Sequence, residues 1–285
     1  MISVMLALLA AVSNAVASVL QRRAARAVPA RKAFRFALIL ALVRDRIWLG
    51  GIAAMIAAFV LQAAALATGA LAIVQPVLTI ELPITVLILS RAFGVALDRR
   101  SWLAVGTMML GITVLLVSAA PTPGDRVPTA SEWALATIVT GCAIAGLVLA
   151  GRLATGLARP AALGVAAGMG FAFTAAFIKQ STSILSQDPS ALARSWPPYA
   201  MVAAGLFSVF LLENALQSGP LVASQPALTI SDPVAGMLYG ALMFGEDIRA
   251  GAWILPEVLG VVLIIRGSFL LARSPPARAA HPARR

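Results

Sequence analysis

Two short stretches of the chain carry nearly the same nine residues, together with the acids best placed to do chemistry. Residues 75–83 read QPVLTIELP and residues 225–233 read QPALTISDP, so six of the nine positions are identical. Each copy lies in a long apolar run and holds one acid, Glu81 or Asp232, within two residues of its final proline. A charged side chain at the centre of a membrane helix costs about 2.5–3.5 kcal/mol to insert. A carboxyl group kept there can load and release a proton, or hold a cation in the proton's place.

Glutamine and threonine accompany each acid at matching positions: Gln75, Thr79, Gln225 and Thr229. On a regular helix the three polar residues of the second copy fall within about 60° of one another and form one polar stripe. In the first copy Glu81 points about 120° away from Gln75 if the helix is regular. We therefore expect both acids to belong to one binding site only if the first helix is irregular.

Prolines give a reason for such irregularity, since each copy contains two: Pro76, Pro83, Pro226 and Pro233. Proline has no N–H group, so each removes the helical hydrogen bond to the carbonyl four residues earlier. Carbonyls freed at membrane depth are tolerated where they line a cavity or find other partners. We expect the two blocks to border a substrate or ion site. The alternative is that these prolines only kink the helices for packing, with each threonine bonding its own backbone.

Composition places the chain in a membrane. It is 60% hydrophobic and 12% charged over 285 residues, whereas about a quarter of an ordinary soluble domain is charged. The net charge of +11 comes from arginines in short loops between apolar runs, which is typical of membrane proteins and does not indicate nucleic-acid binding. With one cysteine (Cys142) and one histidine (His281, in the tail), we expect no internal disulfide, no Cys/His zinc site and no cofactor.

Nine apolar runs are long enough to span a bilayer: 2–20, 47–68, 70–90, 102–119, 133–150, 160–178, 197–217, 220–243 and 252–272. The first run has no basic segment before it, so we interpret it as a retained helix and not a signal peptide. The shorter apolar patch at 36–43 lies between arginines and predicts an interfacial helix. The tail from 273 to 285 is rich in Pro, Ala and Arg, which is typical of disorder.

The basic residues predict the orientation. With the N-terminus outside, the inner loops hold 17 Lys and Arg residues and the outer loops hold 4, a clear positive-inside pattern. The five tryptophans fall at the starts of apolar runs, as interfacial anchors do: Trp48, Trp102, Trp133, Trp196 and Trp253. We predict a multi-pass protein of the plasma (inner) membrane, with its lipid bilayer as partner, an outside N-terminus and a cytoplasmic C-terminus.

The repeated block belongs to a larger duplication. The same 150-residue offset pairs Ala65 with Ala215, Leu66 with Leu216 and Gly69 with Gly219. The sequence thus predicts an all-α integral membrane protein with four helices in residues 1–120, one unpaired helix in the linker 121–159 and four helices in 160–272. Because the repeats start five helices apart, an odd number, the second repeat must be inverted. Inverted repeats are typical of secondary transporters, whose substrate site lies at the repeat interface near the midplane.

The repeat unit also resembles a known family. Residues 66–69, the 75–83 block, Gly94, Asp98-Arg99 and Gly106–Gly111 are similar to the third and fourth helices of the small multidrug resistance proteins. These are four-helix members of the drug/metabolite transporter superfamily that pair as antiparallel dimers. The nine-helix count with an outside N-terminus looks more like the EamA-like and NIPA-type magnesium transporters of that superfamily. The resemblance covers residues 1–120 and 160–272, and a homodimer stays open.

The resemblance implies one further site residue and shows one departure. Small multidrug resistance proteins use a glutamate in the first helix to exchange protons for cationic drugs. The corresponding stretch here, residues 11–15, has no acid and carries Asn14 instead. Asn14 is therefore a candidate site residue, while the proton-exchange mechanism of those proteins does not transfer directly.

Two more acids lie inside predicted spans, Glu213 and Glu257. We expect Glu257, near a helix start, to reach water, and we keep Glu213 as a candidate ion ligand. The paired glycines Gly164/Gly168 and Gly236/Gly240 allow close helix packing.

From these features we predict a secondary transporter, and no enzyme, that moves a small molecule or cation by alternating access with carboxylate-mediated proton or cation coupling. One alternative is a NIPA-like magnesium permease, in which Glu81, Asp232 and Glu213 would supply oxygen ligands. A remote alternative is a membrane-embedded lipid-modifying enzyme, although the sequence offers no nucleophile, acid–base pair or metal cluster with recognisable spacing.

Overall fold

A computed structural model describes residues 1–27, 45–94, 96–219, 221–249 and 251–273. The predicted interfacial helix at 36–43 and the tail after Arg273 lie outside these ranges. Within them every named element is helical: α1 (Ile2–Ala27), α2 (Arg46–Thr68), α3 (Leu71–Leu78), α4 (Glu81–Phe93), α5 (Arg99–Ala119), α6 (Ala130–Leu153), α7 (Ala158–Gln187), α8 (Pro189–Leu192), α9 (Pro197–Ser218), α10 (Leu221–Phe244) and α11 (Ile254–Ala272), the last preceded by a 3₁₀ turn, Gly251–Trp253.

Nine segments of the described chain are long and apolar enough to cross a membrane, with α3 and α4 together forming one of them. These segments coincide with the nine predicted runs, so the all-helical character is confirmed for the described residues, and each predicted run is part of a helix long and apolar enough to span a membrane. Two helices continue well beyond their predicted ends. The run predicted to end at residue 20 continues as α1 to Ala27. The run predicted to end at residue 178 continues as α7 to Gln187, which puts Lys179 inside a helix instead of in an outer connection. A lysine is tolerated there because it has a buried acidic partner, described below.

Local signals fix several helix ends. The side chains of Asp45, Asp98 and Thr129 accept hydrogen bonds from the first turns of α2, α5 and α6, as N-cap residues do. Glycines in the left-handed conformation follow α4 and α10 alike, Gly94 at φ +63° and Gly245 at φ +64°. Glycine takes this conformation without a steric penalty. The two halves of the chain therefore end corresponding helices in the same way.

The helices pack in three main groups. α1 packs along α2, α7 packs along both α9 and α10, and α5 packs along α11. The predicted unpaired helix, α6, packs mainly against α7. At one end of the bundle, Trp133 at the start of α6 stacks on Phe177 of α7 with ring centroids 4.7 Å apart and contacts Trp196 and Phe244 edge-on. We call this end of the bundle the Trp133 end.

The α5–α11 contact is built on two glycines that face each other. A methyl carbon added to Gly111 would lie 2.8 Å from both the Gly260 carbonyl oxygen and the Ile264 amide nitrogen. A methyl carbon added to Gly260 would lie 2.9 Å from the Gly111 carbonyl oxygen and 2.7 Å from the Leu115 amide nitrogen. Gly111 thus lies against Gly260 and Ile264, and Gly260 lies against Gly111 and Leu115. The later residue of each helix lies near the earlier residue of the other, so the two helices run antiparallel.

Candidate functional site

The first copy of the repeated block is interrupted at its centre. α3 ends at Leu78 and α4 begins at Glu81, with Thr79 and Ile80 forming a turn between them. The Thr79 carbonyl, which Pro83 deprives of its usual donor, accepts from the Leu82 amide at 3.2 Å instead. The helix is irregular, as the prolines predict, but this carbonyl does not remain free. Because the helix is interrupted just before Glu81, the Glu81 side chain need not point about 120° away from Gln75, as it would on a regular helix.

The second copy differs. α10 runs unbroken from Leu221 to Phe244, with Pro226 and Pro233 inside it. The expectation of irregularity is therefore wrong for this copy. Proline removes one hydrogen bond and crowds the preceding turn, yet neighbouring helices can support the helix through such a defect. Here α7 packs along α10, and its glycines Gly164 and Gly168 lie against the Ser224 carbonyl and the Leu228 carbonyl.

Glu81 is joined to the first helix. The side-chain amide of Asn14 donates a hydrogen bond to Glu81 Oε2 at 2.6 Å, and both residues are half-buried. α1 packs against both α3 and α4, which holds Asn14 at this position. Hydrogen bonds to a charged carboxylate are among the stronger ones in proteins. The structure thus brings together two of the predicted site residues across 67 positions of sequence.

The acid of the second copy lies near the acid of the first. The carboxyl groups of Asp232 and Glu81 are close enough to interact electrostatically. Asp232 Oδ1 is shielded from solvent and has no hydrogen-bond partner among the described residues. Buried polar atoms are nearly always satisfied, so such an atom calls for a physical reason. An oxygen beside a second carboxyl group is suited to a proton, a cation or a donor group of a substrate.

The leading helices of the two halves also differ in sequence. Asn14 lies seven residues before Gln21, where the first apolar run ends. Seven residues before Lys179, where the corresponding run ends, the chain has Ala172, which is fully buried. Counted back from the polar ends of the two runs, α7 therefore carries an alanine at the position where α1 carries Asn14.

α3 and α10 pass each other closely at this site. Gln75 is 1% exposed, and a methyl carbon added to Gly236 would lie 2.6 Å from its Cγ. One turn earlier in α3 and one turn later in α10, Gly240 lies against the Ala72 amide nitrogen. As residue numbers fall in α3 they rise in α10, so the two segments run antiparallel here. The glycine pair of α10 makes this approach possible, and Gln75 Nε2 stays without a hydrogen-bond partner in the described chain.

The other predicted site residues take different places. The hydroxyls of Thr79 and Thr229 donate to their own backbone, to the Pro76 carbonyl at 2.7 Å and the Gln225 carbonyl at 2.8 Å. Each threonine oxygen can still accept a hydrogen bond. Glu213 is exposed on α9, and the described contacts that join the two acids do not include it. Its role as a ligand stays a prediction.

Sequence reasoning missed a second buried acid, Glu246, which follows Gly245 at the Trp133 end. Glu246 is 3% exposed, and its carboxylate accepts from the Leu71 amide at 2.6 Å and the Ala72 amide at 2.8 Å. The Lys179 ammonium pairs with the same carboxylate at 2.5 Å and also donates to the Gly69 carbonyl at 3.2 Å. A short polar segment after a helix reads as an exposed loop, so no local signal in the sequence marks Glu246 as buried.

Comparison with known proteins identifies a similar protein, whose activity is not known. No protein-family model matches the chain. No solved structure matches it either. An uncharacterized protein of Corynebacterium glutamicum is 27% identical over 256 residues, which cover 89% of this chain and 88% of that protein. The function must therefore be inferred from the geometry of Glu81 and Asp232.

Proposed function

We propose that this protein is a secondary transporter of the drug/metabolite type, in which Glu81 and Asp232 form the site for a small solute or its coupling ion. One observation carries the proposal: two copies of the same proline-flanked block each bring a carboxyl group into a bundle whose described residues form nine membrane-length segments, near enough for the charge of one carboxyl group to act on the other. Acids inside membrane segments mark ion and substrate pathways far more often than packing sites. The resemblance to the drug/metabolite transporter superfamily points to the same class.

Antiparallel contacts between the halves support an inverted repeat. α3 passes α10 antiparallel at Gln75–Gly236, and α5 passes α11 antiparallel at Gly111–Gly260. In both contacts a helix of residues 1–120 meets its counterpart in residues 160–272. This is the geometry expected of a pseudo-two-fold axis in the membrane plane, where transporters place their substrate site. Alternating access would then be a rocking of one repeat against the other about the acid pair.

The acid pair favours a positively charged occupant, either a proton, a metal cation or a cationic group of a substrate. Two neighbouring carboxylates repel each other at low dielectric, and a cation between them relieves that repulsion. No group of three or more Asp, Glu, His or Cys side chains meets within the described ranges. A magnesium ion would therefore have to be held by two carboxylates and several water molecules, a type of coordination that Mg²⁺ commonly adopts. The magnesium permease stays the second candidate.

The experiment that tests the proposal begins with purified protein in a thermal-shift screen against metabolites, organic cations and magnesium. Each solute that raises the melting temperature is then offered to proteoliposomes and to protein-free vesicles. We expect uptake or exchange of at least one such solute, chemically unchanged, only in the proteoliposomes. Chemical conversion of a stabilising solute without net movement would contradict transport and support the membrane-enzyme alternative.

Orientation gives an independent prediction. The positive-inside pattern and the nine apolar runs of the sequence predict an outside N-terminus and a cytoplasmic C-terminus. A reporter that is active only in the cytoplasm should be active when fused after Arg285, whereas one that needs export should be silent. The opposite pair of readings would mean that a tenth span exists, and residues 36–43 would be the first place to look.

Asn14 should tune the acid pair without being indispensable. Asn14→Ala removes the donor to Glu81 Oε2, and we expect transport to fall about tenfold. This corresponds to the lower end of the net contribution of about 1.5–3 kcal/mol from a hydrogen bond to a charged group, because both residues are only half-buried and water can replace part of the bond. Ser13→Ala, at the neighbouring half-buried position, is the matched control and should keep parental rates. Equal rates in both variants would show that the Asn14–Glu81 bond has no part in transport.

A further inference from the structure

We propose that Lys179 and Glu246 form a charged latch that closes the outer entrance to the acid pair, and that the latch must open before the site can face the outside. This inference rests on the proposed function: this end of the bundle is an outer entrance only in a transporter with the predicted orientation. The latch itself is carried by side-chain geometry.

The latch joins three segments that are far apart in sequence. Glu246 lies after α10, Lys179 lies in α7, and the Leu71 and Ala72 amides begin α3. Lys179 also donates to the Gly69 carbonyl. The turn between α2 and α3 is therefore bonded to Lys179 through Gly69 and to Glu246 through the Leu71 and Ala72 amides. The Lys179 ammonium lies 5.2 Å from the centroid of the Phe244 ring. Movement of the second repeat relative to α3 would break the bonds from Glu246 to the Leu71 and Ala72 amides and the bond from Lys179 to the Gly69 carbonyl. The Lys179–Glu246 ion pair, which lies within the second repeat, holds the two side chains in position for these bonds.

The position of Glu246 is fixed by its own backbone. Its amide donates to the Gly240 carbonyl at 3.0 Å. The following residues are tied to the end of α5 and to the loop after it: the Arg249 amide donates to the Ala119 carbonyl at 2.9 Å, and the Thr122 amide donates to the Asp247 carbonyl at 3.0 Å. Glu246 is therefore presented to α3 by a rigid segment. An acid on a flexible surface loop would lack these backbone hydrogen bonds.

The carboxylate is matched to the amino end of α3 as well as to Lys179. The amides of Leu71 and Ala72 belong to the first turn of that helix, where backbone donors have no partner in the helix itself. The same end carries a partial positive charge from the aligned peptide dipoles. Glu246 thus satisfies two backbone donors and one ammonium at once, and a lysine at position 246 could satisfy none of them.

The latch lies one half-membrane away from the acid pair. Twelve residues of α10 separate Asp232 from Phe244, and at 1.5 Å per residue this is about 18 Å. Half of the hydrocarbon core is about 15 Å. An acid pair at mid-depth therefore has the latch, and the aromatic side chains of the Trp133 end, between itself and the outer surface.

The opposite end has no such pair in the corresponding sequence positions. Gly94 ends α4 as Gly245 ends α10, and the next residue there is Val95 where the Trp133 end has Glu246. Gln21 ends the first apolar run where α7 has Lys179. The two entrances thus differ in charge. This asymmetry gives the outer entrance an ion pair that the corresponding sequence positions of the inner entrance lack, and it favours the closed-outside state.

The test uses labelling by a membrane-impermeant maleimide, in a background with the exposed Cys142 replaced by alanine. One reporter, Val74→Cys, lies fully buried one turn below Leu71. A second reporter, Leu89→Cys, lies 2% exposed toward the other end. We expect Lys179→Gln and Glu246→Gln each to speed labelling of the first reporter from the outside of intact cells by at least about tenfold. Labelling of the second reporter in inverted vesicles should not rise.

Matched controls separate a latch from general loss of structure. Arg126→Gln removes a more exposed ion pair, Arg126–Glu132, at the same end, and should leave both reporters unchanged. The exchange Lys179→Glu with Glu246→Lys should not restore slow labelling, because it sets an ammonium against the amino end of α3. Restored protection would overturn the role given to α3. Unchanged labelling of the first reporter, or faster labelling of both, would overturn the latch. No solute is needed, so failure of the latch and failure of transport are measured separately.

Discussion

Neutralising either acid of the pair should nearly abolish coupled transport. Glu81→Gln and Asp232→Asn keep the size of each side chain but remove the charge that binds a proton or cation at the α4 and α10 site. Losing one charged partner of a buried site corresponds to about a ten- to hundredfold fall in uptake or exchange rate. The rate is measured in proteoliposomes with a solute identified by thermal shift, after confirming equal insertion of parent and variants.

Glu257→Gln is the matched control for this result. Glu257 is also a half-buried acid in a membrane span, and its Oε1 has no hydrogen-bond partner in the described chain. It lies in the first turn of α11, outside the block that is duplicated. Transport by this variant should match the parent. A loss as large as that of Asp232→Asn would show that any buried acid matters, and the special role of the pair would be lost.

The same variants distinguish a proton from magnesium. If the pair carries a proton, parental transport should depend on pH and the residual transport of the variants should not. If the pair binds magnesium, the parent should be stabilised by magnesium and both variants should lose that stabilisation. In the second case, pH should act only by competition between protons and magnesium for the carboxylates.

The second large effect concerns the crossing of α5 and α11. Gly111→Val places two methyl groups where the Gly260 carbonyl and the Ile264 amide already lie 2.8 Å from a single added carbon. Backbone atoms cannot move aside as a flexible side chain can, so the helices must separate. We expect a loss of at least about 1–3 kcal/mol of stability, read as a lower melting temperature in detergent and as lower yield of folded protein.

Gly106→Val is the control on the same helix. An added carbon at Gly106 meets nothing within 4 Å, while the change in helix propensity is identical to that at Gly111. Its melting temperature should stay within a few degrees of the parent. Equal melting temperatures for the two variants would contradict the close glycine contact, and with it the support that this crossing gives to an inverted repeat.

Much of the fold could be predicted because a membrane helix can be recognised from the composition of its own residues. Runs of about 20 apolar residues gave nine spans, and the prolines of the first block gave the break at Thr79 and Ile80. Local patterns do not report which distant residue will pair with a buried group. The ion pair between Lys179 and Glu246 depends on three helices meeting at one end, so neither residue could be assigned from its neighbours in sequence.

The candidate site shows the same limit. The duplicated block identified Glu81 and Asp232 as the acids to follow, and resemblance to the small multidrug resistance proteins drew attention to Asn14. That Asn14 donates to Glu81, and that Asp232 lacks a matching donor, depends on how α1 and α7 pack. The bond from Asn14 joins α1 to α4 across 67 positions of sequence, and a contact of that range has no local signal in the chain.

The central claim is that transport depends on the shared site of Glu81 and Asp232. The most direct measurement is uptake or exchange by the double variant Glu81→Gln, Asp232→Asn in proteoliposomes, with its melting temperature measured in the presence and absence of the transported solute. We predict a folded, inserted protein with no coupled transport and no stabilisation by the solute or its coupling ion. Full transport by the double variant would contradict the claim and leave the two acids with a packing or solvated role.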